Sequence, residues 1–136
     1  MQLNSYLHFN GQCEEAFKFY EKCLGGKIGA LIPFDSMPTP EQLPAEWRTK
    51  IVHARMTVGE QVLMGMDAAP PHFHQPQGFH VNIGYRDTKK GKRVFDALSE
   101  NGKVTMPFGP TPWAPGFGMV IDQFGTPWMV NCEPPA

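Results

Sequence analysis

The stretch YLHFNGQCEEAFKFYEKCLGGKI, residues 6–28, decides the fold of this chain. It begins inside SYLHF (5–9), which predicts a strand, and continues into EEAFKFYEKCL (14–24), where the apolar spacing is that of a helix. One apolar stripe runs along that helix and is formed by Cys13, Phe17, Tyr20 and Leu24. A glycine pair ends the helix, and the apolar run after it predicts a second strand at 27–34. The stretch therefore predicts a strand–helix–strand unit.

The same order of elements is predicted twice along the chain. After a proline-rich loop, residues 51–58 and 61–67 predict a hairpin that completes a β-α-β-β-β module. The second half repeats this order, with a helix at about 88–101 and strands at 79–85, 103–108, 118–122 and 126–132. An offset of 76 pairs Phe19 with Phe95 and repeats the Gly-Lys-aliphatic exit from each helix. The pattern indicates an internal duplication, with module 1 at about 1–69, a linker at about 70–77 and module 2 at about 78–136.

Composition excludes several classes of partner. The 136 residues suit one domain, and 12 Lys plus Arg against 13 Asp plus Glu supply no basic stripe for a nucleic acid. No apolar run approaches the about 20 residues that span a bilayer, and the N-terminus lacks the pattern of a leader peptide. Cys13 and Cys23 lie too far apart on one helix to form a disulfide, so we interpret them as small apolar helix residues. We expect a soluble cytoplasmic protein with no nucleic-acid or membrane partner.

The two modules resemble a known family. Together with the opening stretch and DQFGTPWMVNCE (122–133), they closely resemble the PhnB-like branch of the vicinal-oxygen-chelate superfamily, which includes glyoxalase I, bleomycin and fosfomycin resistance proteins and extradiol dioxygenases. The resemblance covers nearly the whole chain. Its most specific residues are Glu14, Glu15, Ala16, Phe17, Phe19, Tyr20, Leu24, Gly25, Gly26, Asp122, Phe124, Gly125, Pro127 and Trp128. It implies an α+β fold of two βαβββ modules whose curled mixed sheets surround a cavity.

The resemblance also implies metal positions. In glyoxalase-like members, the first and last strand of each module each supply one side chain to a divalent metal. Carried over to this chain, the four positions are Ser5, Met64, His80 and Met129. Ser5 and His80 differ by 75 rather than 76, which implies a one-residue slip between strand and helix. Only His80 is a good ligand, whereas a catalytic zinc site has about three protein ligands, so we expect no cofactor and no conventional metal centre.

The linker offers another metal-binding possibility. His72 and His74 lie two residues apart in an extended, proline-rich segment and can chelate as a pair. The alternative is a solvated loop. We expect any bound metal to be substoichiometric and to depend on this pair rather than on His80.

Without a metal, the same positions predict a ligand pocket. Strand alternation puts His80, Asn82 and Gly84 on one face, and we expect Asn131 to approach them across the cavity. Trp113 belongs to a proline- and aromatic-rich segment, 107–119, that suits a lid or, alternatively, cover for a sheet edge. By the same alternation His8 is expected on the opposite face from Ser5 and the cavity. The predicted ligand-binding residues are Ser5, Leu7, Phe9, Met64, His80, Asn82, Trp113, Met129 and Asn131.

Three functional classes remain open. The first is a protein that binds a small, partly polar organic molecule in the inter-sheet cavity. The second is a metal-assisted lyase, isomerase or dioxygenase, for which His80 supplies only half of an acid/base pair. The third is the ubiquinone-pathway methyltransferase label sometimes attached to this family, although no glycine-rich nucleotide loop is present. We expect a homodimer whose subunits can exchange modules.

Overall fold

A computed structural model describes residues 1–38 and 43–134. The chain divides into two compact units, Met1–His74 and Gln75–Ala136. Within the described ranges, no helix has the length and apolar character needed to cross a membrane.

The first unit is a four-stranded mixed sheet with one helix. Its elements are β1 (Ser5–Phe9), α1 (Cys13–Leu24), β2 (Lys27–Pro33), β3 (Ile51–Val58) and β4 (Gln61–Asp67). The strand order is β1-β4-β3-β2; β1 pairs parallel with β4, and the other neighbours are antiparallel.

The second unit repeats this topology. Its elements are β5 (Val81–Tyr85), α2 (Thr88–Leu98), β6 (Lys103–Gly109), β7 (Gly116–Ile121) and β8 (Pro127–Cys132). The strand order is β5-β8-β7-β6, and β5 pairs parallel with β8. The predicted α+β fold with two βαβββ modules is confirmed.

Some element boundaries differ from the sequence prediction. The predicted strand at 79–85 begins only at Val81, because the β5–β8 ladder starts where Val81 pairs with Trp128. His80 therefore precedes the strand. Helix α2 ends at Leu98 rather than Asn101, and Asn101 has the positive φ of 57° that ends helical geometry. Strand β7 begins at Gly116 rather than at residue 118.

Each core lies between a helix and one face of its sheet. The buried residues of α1 are Cys13, Ala16, Phe17 and Tyr20, and those of α2 are Gly91, Val94, Phe95 and Leu98. Each number in the second set is 78 higher than its counterpart in the first. The structural counterpart of Phe95 is therefore Phe17, and the predicted match of Phe95 with Phe19 is wrong for the helices.

The strands keep a different offset. Strands β5 and β6 lie 76 residues after β1 and β2. Since Ser5 then corresponds to Val81, the counterpart of His80 is Asn4, and no one-residue slip exists between them. The insertion lies instead between the first strand and the helix and amounts to two residues, the difference between 78 and 76.

Candidate functional site

Three of the predicted ligand residues, Asn82, Met129 and Asn131, lie with Gly84 on one face of the second sheet. Asn82 pairs with Met129, and Gly84 with Asn131. The alternate residues of β8, among them Cys132, are buried against α2. Cys132 Sγ lies so close to Gly91 of α2 that a Cβ on Gly91 would collide with it. We call the sheet face away from the helix the open face of each unit. Asn131 lies beside Gly84 in the same sheet, so the expectation that it approaches across a cavity is wrong.

Aromatic side chains extend this open face. Phe117 of β7 pairs with Asn131, and Met119 pairs with Met129. The Trp113 ring packs edge-on against Phe117, with 5.4 Å between centroids, yet remains 57% exposed. A tight turn holds the Trp113 loop, because the Ala114 N–H donates to Thr111 Oγ1 at 3.1 Å and the Thr111 N–H donates to the Ala114 carbonyl at 2.8 Å. Trp113 therefore offers an exposed ring at the edge of an apolar surface.

Asn131 carries an unsatisfied acceptor at the centre of this face. Its Oδ1 is buried and has no hydrogen-bond partner among the described residues. A buried acceptor without a partner costs roughly 1–3 kcal/mol. A Cβ placed on neighbouring Gly84 would meet only the Asn131 backbone oxygen, at 3.8 Å, so the face has room beside the amide.

His80 lies at the edge of this face but is not part of the β5–β8 ladder. It immediately precedes β5 and is exposed, as is Asn82 two residues later. Both therefore face solvent at the edge of the surface formed by Met129 and Asn131.

The turn before β8 contains several of the residues that are most specific for the family resemblance. Asp122 Oδ1 accepts hydrogen bonds from the N–H groups of Phe124 at 2.8 Å and Thr126 at 3.0 Å. Its Oδ2 accepts from Trp128 Nε1 at 2.8 Å. These bonds set the register of the β7–β8 hairpin, which in turn places Met129 and Asn131 on the open face.

In the first unit, strand β1 is turned over relative to the prediction. Leu7 and Phe9 are buried, and the Phe9 ring packs on α1, 6.2 Å from the Phe17 centroid. Ser5 shares their face by alternation. The expectation that Ser5, Leu7 and Phe9 line a cavity is therefore wrong, because β1 must bury its two large apolar residues against the helix.

The open face of the first unit instead carries Tyr6 and His8. Tyr6 pairs with Met64 across the β1–β4 ladder, so Met64 does lie on this face. A hydrogen bond of 2.9 Å joins the Tyr6 hydroxyl to Nδ1 of His53, and the His8 ring stands edge-on to Tyr6 at 6.0 Å. Burial, and secondarily the nearby Cys13, raises the pKa of Tyr6 above its ordinary 10.0. The sequence prediction missed this cluster, although the large apolar pair on β1 was a signal that could have found it.

The donors at the implied metal positions do not fit a divalent ion. Ser5 lies on the helix side of β1, while Met64 and Met129 offer thioethers, which hard ions bind poorly. Across residues 1–38 and 43–134, no three or more His, Cys, Asp or Glu side chains form a group that could hold a metal ion. Dependence of any bound metal on His72 and His74 stays a prediction, which metal analysis of the purified protein before and after a chelator would measure.

Comparisons with known proteins cover almost the whole chain. A family model described as Glyoxalase/Bleomycin resistance protein/Dioxygenase superfamily matches residues 2–130. Protein YjdN of Escherichia coli (strain K12) is 37% identical over 139 residues, with 96% of this chain and 95% of that protein covered. The crystal structure of PA1353 from Pseudomonas aeruginosa matches with 43% identity and a TM-score of 0.90 over 99% of both chains. A Bacillus cereus structure described as a PhnB protein shares the fold, with a TM-score of 0.79 and 23% identity over 97% of this chain and 99% of that one.

Proposed function

Because the chain belongs to the Glyoxalase/Bleomycin resistance protein/Dioxygenase superfamily, as its sequence predicts, we propose that it binds a small, partly polar organic molecule on the open face of β5–β8. The observation that carries this proposal is the buried Asn131 Oδ1, which lacks a partner among the described residues. A ligand hydroxyl or N–H would satisfy that acceptor. The superfamily membership supports a small-molecule ligand, and the site chemistry specifies its polar group.

The surroundings of Asn131 define the rest of the ligand. Met129 and Met119 are half-buried neighbours on the same face, and Phe117 carries the exposed ring of Trp113. Removing ligand apolar surface from water there contributes about 25 cal/mol per Å². The proposed ligand is therefore an apolar, ring-sized body with a hydrogen-bond donor, bound without a conventional metal centre.

A matched pair of probes tests the donor requirement. We expect 4-ethylphenol to bind at least about tenfold more tightly than its O-methyl ether, because only the phenol can donate to Asn131 and a hydrogen bond that satisfies a buried acceptor is worth about 1–3 kcal/mol. NMR titration of ¹⁵N-labelled protein would give both affinities and show whether the shifts concentrate on β5 and β8. Equal affinity of the two probes would contradict the proposed role of Asn131.

Two glycine variants locate the site. Gly84→Leu should abolish phenol binding, since the new side chain occupies the open face beside Asn131. Gly29→Leu is the matched control, because a Cβ there has a similarly loose contact, 3.8 Å from the Arg55 carbonyl oxygen, but lies on β2. Unchanged binding in a folded Gly84→Leu variant would remove these residues from the site.

We also propose that the chain forms a homodimer through a second copy of itself. Large apolar side chains remain accessible on both open faces, including Tyr6 at 40%, Ile32 at 39% and Trp113 at 57%. Tyr6 and Ile32 lie on the same face, each beside His53, and apolar side chains grouped in this way favour association. Sedimentation should give about twice the 15.2 kDa chain mass, and a single 15.2 kDa species at micromolar concentration would contradict the proposal.

A further inference from the structure

The first unit contains a cavity of about 590 Å³ that the proposed site does not use. Its wall includes His8 and Met66 from the ends of β1 and β4, together with Phe34, Leu43, Pro71 and His72. Volumes of about 300–1,000 Å³ are typical of small-molecule pockets. The cavity therefore has the size of a ligand site within a single unit.

Backbone hydrogen bonds hold the cavity wall in place. The Phe34 N–H donates to the Lys50 carbonyl at 2.9 Å, and the Ala68 N–H donates to the Phe9 carbonyl at 2.8 Å. The turn that carries His72 is closed by its N–H, which donates to the Ala69 carbonyl at 2.8 Å. The first bond joins the segment after β2 to the segment before β3, the second joins the segment after β4 to β1, and the third closes the turn at 69–72. The fold itself therefore holds the cavity wall in place.

Two imidazoles are the polar side chains free to meet a ligand in this wall. His8 is positioned by its edge-on contact with Tyr6, which is itself hydrogen-bonded to His53. Asp67 also borders the cavity, but its carboxylate accepts the Cys13 and Ile51 N–H groups, both at 2.9 Å. The wall thus presents two imidazoles, each of which can donate an N–H to a guest molecule.

The described wall of the cavity contains a single carboxylate, that of Asp67. Its position at the N-terminus of α1 offsets its charge, and its oxygens already accept the N–H groups of Cys13 and Ile51. An anionic group near His8 therefore meets imidazole groups in this wall without a competing free carboxylate.

We propose that this cavity binds a small organic acid, with the carboxylate held by His8 and His72 and the apolar body against Phe34, Leu43 and Met66. This site is separate from the proposed donor-binding face of the second unit. The polar contact also differs, since the unpaired Asn131 Oδ1 can only accept a hydrogen bond, whereas each imidazole can donate an N–H to the carboxylate.

The test compares 4-ethylbenzoate with its neutral isostere 4-ethylbenzamide by NMR titration. We expect the acid to bind at least tenfold more tightly, with shifts centred on β1, β4 and residues 68–72. The double variant His8→Ala/His72→Ala should reduce the affinity of the acid to that of the amide. His74→Ala is the matched control, because His74 lies two residues away and is not part of the cavity wall.

Further variants separate this site from the other one. Ala69→Trp should fill the cavity and abolish binding of both benzoate and benzamide, whereas Gly84→Leu should leave benzoate binding unchanged and abolish phenol binding. The proposal would be overturned by equal affinity of acid and amide, by no detectable binding of the acid, or by full acid binding in a folded double variant. Benzoate shifts on β5 and β8 that disappear in Gly84→Leu would also overturn it and would assign the acid to the second unit.

Discussion

The two units solve the same structural problem, the start of the helix beneath the sheet, in different ways. In the first unit, Asp67 at the end of β4 accepts the Cys13 N–H at 2.9 Å, and Gln12 provides no side-chain cap for α1. In the second unit, Asp87 caps α2 locally by accepting the N–H groups of Lys89 at 3.0 Å and Lys90 at 3.3 Å. A helix N-terminus needs acceptors, and either a neighbour in sequence or a distant strand can supply them.

The length of the connection accounts for this difference. Cys13 follows the end of β1 by four positions, whereas its counterpart Gly91 follows the end of β5 by six. The two additional residues leave room for the local cap and the first exposed turn of α2. The end of β8 can then carry the apolar Cys132 at the position where β4 carries Asp67. The two positions are equivalent, because Asp67 pairs with the last residue of β1, Phe9, and Cys132 pairs with the last residue of β5, Tyr85.

The buried cysteines fit this apolar role. Burial is the main cause that raises the pKa of both Cys13 and Cys132 above the ordinary value. The negative charge of Asp67 raises the pKa of Cys13 further, and that of Asp87 raises the pKa of Cys132 further. Thiols held in the protonated form are poor nucleophiles. Both cysteines therefore act as small packing residues at equivalent ends of the two cores.

The largest expected effect tests the alignment of the two helices. Phe17→Ala and Phe95→Ala should each lower the free energy of unfolding by about 3–5 kcal/mol, because both rings are buried beneath a sheet. Phe19→Ala should cost clearly less, since Phe19 is only half-buried. Urea denaturation of the three variants measures this. A Phe19→Ala cost equal to that of Phe95→Ala would restore the offset of 76 for the helices.

The next effect tests the two helix caps. Asp67→Ala should cost roughly 2–5 kcal/mol, because it leaves the N–H groups of Cys13 and Ile51 buried without their acceptor. Asp87→Ala should cost only about 0.5–2 kcal/mol, the usual range for an exposed local cap. Glu133→Ala, an exposed carboxylate beside Cys132, serves as the control in the same denaturation series. Equal costs for Asp67→Ala and Asp87→Ala would remove the distinction between the two units.

A third effect tests the packing that replaces Asp67 in the second unit. A Cβ on Gly91 would collide with Cys132 Sγ, so Gly91→Ala should cost about 1–3 kcal/mol despite the better helix propensity of alanine. Cys132→Ala in the same chain should recover much of this loss. Gly109→Ala is the control, because a Cβ there meets nothing within 4 Å. Thermal unfolding that shows no rescue in the double variant would contradict this explanation.

The smallest effect concerns the pH dependence of Asp67. Burial raises the pKa of its carboxyl above the ordinary 3.8. The hydrogen bonds that it accepts from backbone N–H groups lower the pKa, but by less than burial raises it. The folded state therefore holds this proton more tightly than the unfolded chain does, and the contribution of Asp67 to stability falls as pH rises from the ordinary pKa through the raised one. Asp67→Asn removes this dependence, so the stability difference between wild type and variant should be larger at pH 3 than at pH 7. A difference that grows with pH in denaturation experiments would show that the N–H groups dominate instead.

Local sequence patterns predicted the elements and their order. The glycine pair after Leu24, the alternation in the strands and the apolar stripe of α1 each depend only on residues close in the chain. Alternation also grouped Asn82 with Gly84 on one strand, and Met129 with Asn131 on another. Only the family resemblance brought these two strands together, and it did not predict that Asn131 lies beside Gly84.

Sequence by itself determined the fold class, the repeat and part of one candidate surface, since these follow from periodicity and turn residues. The tertiary structure alone decided which face of β1 is buried, because a strand turns every side chain over when its alignment moves by one residue. It placed Leu7 and Phe9 against α1 and thereby put Tyr6 and His8 on the open face. It also decided that Asp67 caps a helix 54 residues away in the chain, since such a hydrogen bond depends on packing rather than on neighbouring sequence.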